Sequence, residues 1–186
     1  MKEMDYLESI EKMLTQESFD CSLIPDNKAP PFGKLLVFLG HDSLERERIL
    51  EMTVQHQELG ESLRDPPAPP QYLRIQFEVL FPFEIKELTT NEIASLLPFL
   101  NRMLELPGFE LDEINSKIYY RYVLLTAAQE LEKNLLTGII GVIILFFKIF
   151  SDTIEQVAEG KKTFNDFLEQ ILEFSETLSS HSTQKA

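Results

Sequence analysis

Apolar residues recur along this chain with two periods, and the switches between them mark the elements. Tyr6, Leu7, Ile10, Met13 and Leu14 fall at helical spacing and predict a short amphipathic helix over Asp5 to Gln16. A short strand at Phe19 to Ile24 leads into turns at Pro25-Asp26-Asn27 and Pro30-Pro31. Leu35 to Leu39 is a compact apolar strand, and Gly40-His41-Asp42-Ser43 reads as the turn after it. Arg48 to Gln57 alternates, with Leu50, Met52 and Val54 on one face, as a half-buried strand does. A charged helix is the competing reading there. Residues 58–70 form a loop whose proline run, Pro66 to Pro70, is stiff and extended.

The second half opens on the clearest strand, Tyr72 to Ile85. Leu73, Ile75, Phe77, Val79 and Phe81 share one face and Arg74, Gln76 and Glu78 the other. Pro82 puts that end at an edge or a bend. Thr89-x-x-Glu92 has the form of a capping box and predicts a helix over 90–105, which Pro98 should kink or split and Pro107-Gly108 should end. Phe109 to Asp112 and Lys117 to Thr126 predict a hairpin, its second strand rich in aromatic and β-branched residues. A long helix follows, from Ala128 or Asn134 to Ala158, ended by Gly160. Thr163-x-x-Asp166 then opens a last amphipathic helix, Phe164 to Leu178.

Strands joined by short turns make an antiparallel sheet, and the helices must cover one face of it. The expected fold is therefore α+β: a sheet of four to five strands, depending on whether 19–24 forms one, with an extra C-terminal amphipathic helix. The expected division is one domain over 1–160, the added helix at 161–178, and a flexible polar tail at 179–186. Leu73, Ile75, Phe77, Val79 and Val123 are the expected inward side chains of the sheet.

Composition narrows the function classes. With 17 Lys+Arg against 31 Asp+Glu the formal charge of the 186 residues is −14, the wrong sign for a nucleic-acid surface. Cys21 is the only cysteine, so neither an intrachain disulfide nor a cysteine-based zinc site can form. The Met1-Lys2-Glu3-Met4-Asp5 start has no secretory pattern, and with one cysteine this points to the cytoplasm.

Candidate chemistry is sparse. His41-Asp42-Ser43 holds the residue types of a hydrolase triad, but adjacent residues cannot converge as a relay, so a polar turn is expected. His41, His56 and His181 lack the spacing of a helical metal pair. Asp152, Glu155 and Glu159 share a helix face that could meet a cation or a basic partner, though a solvated face is the plainer expectation. Glu110, Asp112 and Glu113 crowd a hairpin without a visible base or nucleophile beside them. With no catalytic, metal or cofactor-binding residues to name, the reading is a protein that is not an enzyme. The alternative is a small-molecule-binding protein or enzyme whose site carries no recognisable motif.

The informative segment is Leu135 to Phe150, where 12 of 16 residues are large and apolar. At about 1.5 Å per residue it is roughly 24 Å long, short of the ~30 Å bilayer core. Lys148 lies inside it, so a helix buried in protein is expected rather than a membrane span. Ile139, Ile143, Phe146 and Phe150 should face the sheet, while Ile140, Ile144 and Phe147 should meet other cover. That cover is helix 164–178, a second protomer or a ligand protein. The candidate partner or dimer surface is Ile140, Ile144 and Phe147 with Phe164, Phe167 and Ile171. A sheet edge offers a second mode, strand addition.

One stretch has a familiar form. Leu100-Asn101-Arg102-Met103-Leu104, Leu106-Pro107-Gly108-Phe109-Glu110-Leu111-Asp112 and Lys117-Ile118-Tyr119-Tyr120-Arg121-Tyr122 resemble the YbjN family, which shares the type III secretion chaperone fold. The specific part is about residues 97–125, within a resemblance spanning roughly 1–160. The proline-rich insert and the helix after Gly160 depart from that pattern. The resemblance implies a small, acidic, non-enzymatic cytoplasmic protein, often dimeric, that binds another polypeptide.

Overall fold

The structure, a computed structural model, describes residues 2–26, 31, 33–58, 71–127 and 131–183, with side chains in the last helix to Glu173. The proline run at 66–70 lies outside the described residues. Six strands form one antiparallel sheet: β1 (Cys21–Pro25), β2 (Gly33–His41), β3 (Glu47–Glu58), β4 (Gln71–Glu84), β5 (Phe109–Asp112) and β6 (Lys117–Ala127), in the order β1-β2-β3-β4-β6-β5. Four helices accompany it: α1 (Glu3–Gln16), α2 (Thr90–Asn101), α3 (Lys133–Ala158) and α4 (Phe164–Thr183). The α+β class holds.

The sheet has six strands against the four to five expected, and they are the six segments named from the sequence with 19–24 included. Cys21 to Pro25 pairs residue by residue with Gly33 to Val37, so a weakly apolar edge segment still satisfies its backbone in the ladder. Alternation assigns the faces as read from β3 and β4. Leu50, Met52 and Val54, with Leu73, Ile75, Phe77 and Val79, are buried beside Tyr6, Leu7, Ile10 and Leu14 of α1 and the inner residues of α2 and α3.

Val123 is a correction. It stands opposite Gln76 on β4, on the polar outer face, because Phe77 pairs with Tyr122 and the side chains alternate. Ile118 and Tyr120 are the buried residues of β6 instead. The outer face carries a chain of side-chain hydrogen bonds, Gln55 to Arg74 to Gln76 to Glu78, flanked by the Lys34–Glu51 and Arg121–Glu110 ion pairs.

Helix boundaries differ where tertiary contacts compete for the capping groups. Thr89 precedes α2 but makes no side-chain cap bond. Its hydroxyl donates to the Ala158 carbonyl at 2.7 Å, and the Glu92 carboxylate accepts the Phe164 N–H at 2.7 Å. The expected capping box is thus spent on joining α2 to the end of α3 and the start of α4. Pro98 does not split α2, which runs unbroken to Asn101, four residues short of the expected end.

Gly160, with φ of 71°, ends α3 as expected: Lys161 N–H reaches the Gln156 carbonyl and Gly160 N–H that of Val157. Thr163 and Asp166 cap α4 reciprocally, each side chain accepting the other residue's N–H. That helix continues to Thr183, into the stretch expected to be a flexible tail.

Candidate functional site

The stretch 100–122 is built as a clamp. The Asn101 side-chain carbonyl accepts the N–H groups of Gly108 and Phe109 at 3.1 and 3.0 Å, and its amide donates to the Phe109 carbonyl at 2.9 Å. One side chain at the end of α2 therefore fixes the entry of β5. Gly108 has no alternative residue there. A Cβ would lie 2.5 Å from the Arg121 carbonyl and 2.9 Å from the Tyr120 ring. Tyr120 is fully buried and its hydroxyl donates to the Leu106 carbonyl at 2.8 Å. Burial, then the neighbouring Tyr122, pushes its phenol well above the usual tyrosine value. These contacts hold a strand in place. None presents a free reactive group.

A second polar cluster ties the far end of α3 to the turn between β2 and β3. Asp42 accepts the N–H groups of Leu44 and Arg46 through one oxygen and Arg46 Nε, at 2.6 Å, through the other. The remaining guanidinium nitrogens grip Glu155 in a fork, at 2.9 and 2.6 Å. Burial acts to raise the Asp42 carboxyl, but the hydrogen bonds from Arg46 and Leu44 outweigh it and hold the group below its ordinary value. Ser43 donates to Asp152 at 3.0 Å, and Lys161 pairs with Glu159.

The acidic helix face expected to be solvated is therefore engaged at all three positions. The residues of the His41-Asp42-Ser43 turn are likewise committed: His41 meets the Phe38 ring edge-on, and Asp42 and Ser43 serve the latch. Between that turn and α3 lies an open hollow of about 210 Å³, lined by Ser43, Leu44, Asp152, Gln156, Glu159 and Lys161. Three carboxylates, with Glu155 among them, line it against the single cation Lys161, and Arg46 holds Glu155 from outside. Among the described residues no group of His, Cys, Asp and Glu is placed to hold a metal ion.

The expected partner surface is divided by the structure. Ile140 is fully buried, and Phe147 stacks on Phe81 at 4.7 Å between ring centroids, with Phe109 and Tyr120 at its edges. Phe147 thus faces the sheet rather than other cover. Ile144 is half-buried at the flank. Phe164 and Phe167 meet Phe99 of α2 edge-on, and Ile171 is half-buried. The described ring contacts of α4 are therefore with α2, and among the described residues Leu135, Leu145 and Ile149 on the outer side of α3 stay exposed.

The side of α3 left without cover is therefore a different one from that expected. Leu135, Leu145 and Ile149 are 43%, 50% and 54% exposed. With Gly138 and Val142 they form one stripe at spacings of three and four, opposite Leu136, Ile140, Ile143 and Phe147. Gly138-x-x-Gly141, a pair small enough to let the helix approach a neighbour closely, lies beside that side. The helix also has the length and mean hydropathy, 2.0, of a membrane span, a test that core helices pass as well.

The sheet offers a second uncovered feature. β6 has eleven residues but β5 only four, pairing with Lys117 to Tyr120. Arg121 N–H still reaches the Gly108 carbonyl at 2.8 Å, so the odd-numbered residues point their backbone groups to that side. Beyond it, among the described residues, no strand pairs with the outward N–H and C=O groups of Val123, Leu125 and Ala127. Scans against protein-family models and curated proteins find no match for this chain.

Proposed function

We propose that the protein is a non-enzymatic, cytoplasmic polypeptide-binding module that takes an extended, net basic segment of another chain along the free edge of β6. The observation that carries this reading is the length mismatch between β6 and β5, which leaves the outward backbone groups of Val123, Leu125 and Ala127 without a partner strand among the described residues. A strand edge of this kind gives affinity through main-chain bonds and selectivity through alternate side chains. The charge of −14 favours encounter with a basic partner. The likeness of residues 97–125 to YbjN and the type III secretion chaperones agrees with this class. Their conspicuous residues, Asn101, Gly108 and Tyr120, serve to position β5 and so fix where the free edge begins.

The test is site-specific. A partner is captured under native conditions, identified by mass spectrometry, and its bound segment added back to the purified protein. Hydrogen exchange should slow at Val123, Leu125 and Ala127, and binding should weaken with salt. Leu125→Pro removes an N–H that no described strand uses, so it should keep the fold and lose the segment. Unchanged exchange at those amides with a bound segment would place the partner elsewhere and sink this reading.

A further inference from the structure

We draw no further inference here: the strongest candidate, the open hollow between the β2–β3 turn and α3, is an acidic cluster whose carboxylates at Asp152, Glu155 and Glu159 are already engaged by Ser43, Arg46 and Lys161, and among the described residues no second feature points to a ligand for it.

Discussion

The two sides of α3 are made from nearly the same residues and live in different surroundings. Leu136, Ile140, Ile143 and Phe147 are buried against the protein, whereas Leu135, Leu145 and Ile149 stand about half in water on another side of the helix. Hydrophobicity alone does not separate them. Partner shape does: the inner side has three aromatic rings around Phe147, those of Phe81, Phe109 and Tyr120, with the Arg48 guanidinium over the Phe147 ring itself, while the outer side has two glycines beside which no described atom lies within 4 Å. An apolar helix can thus owe one face to folding and the other to something else, and substitutions on the two faces should separate these roles.

The largest effect is expected on the inner side. Phe147→Ala removes a ring that touches three others and leaves a cavity between α3 and the sheet, so it should cost about 3–5 kcal/mol. Urea unfolding checks it. A cost below ~1 kcal/mol would mean the inner side is no better packed than the outer. Phe146, 8% exposed and beside Tyr120, belongs to the same class.

Next comes the latch that fixes the far end of the helix. Arg46→Ala strips partners from Asp42, whose side chain is 4% exposed, and from Glu155, 13% exposed. Loss of charged hydrogen bonds at such a site should cost about 2–3 kcal/mol. Acid should act on the same group. Folding holds the Asp42 carboxyl below its ordinary value, so its contribution is full above the unfolded-state value, about 3.9. It is lost as pH falls through the lower, folded-state value. Thermal melts of the wild type should fall more steeply with acid than those of Asp42→Asn, and parallel curves would remove Asp42 from the account.

These sites also show what the sequence makes legible. Alternation in β4 is written in polar and apolar letters, so Leu73, Ile75, Phe77 and Val79 declare their face. β6 has Tyr119, Val123 and Leu125 outward beside Tyr120 inward, and with apolar residues on both sides the period disappears, which is why Val123 was misplaced. The phase of α3 was lost for the same reason. Arg46 and Glu155 are 109 positions apart, and no local pattern announces such a pair. Thr89 and Glu92 have the letters of a local cap but bond to Ala158 and Phe164, because distant backbone groups needed partners more than the helix start did. Gly160 was legible, since a left-handed residue at a helix end is a local requirement.

A pair of glycines then sharpens the contrast. Gly108→Ala drives a methyl group into the Arg121 carbonyl and the Tyr120 ring, so β5 must shift, at about 1–3 kcal/mol. Chemical denaturation should show the loss, together with faster hydrogen exchange at the Phe109 amide. An unperturbed Gly108→Ala protein would mean the clamp around Asn101 has room to spare.

The smallest effect has the opposite sign. At Gly138 an added methyl group meets no atom of the described residues within 4 Å, so Gly138→Ala gains helix propensity without a clash and should stabilise the monomer by about 0.5–1 kcal/mol. For a chain of this size that raises the melting temperature by about 2–4 °C per kcal/mol. The gain should appear in full at the lowest concentrations. If a second copy fills the space beside Gly138, the same methyl group obstructs it, and the gain should shrink or reverse as concentration rises and association adds to the apparent stability of the wild type. Melts at two concentrations therefore read both sides of the comparison from one methyl group. A gain independent of concentration assigns the glycine to the monomer alone. A loss at every concentration means that the outer face is packed within the chain itself.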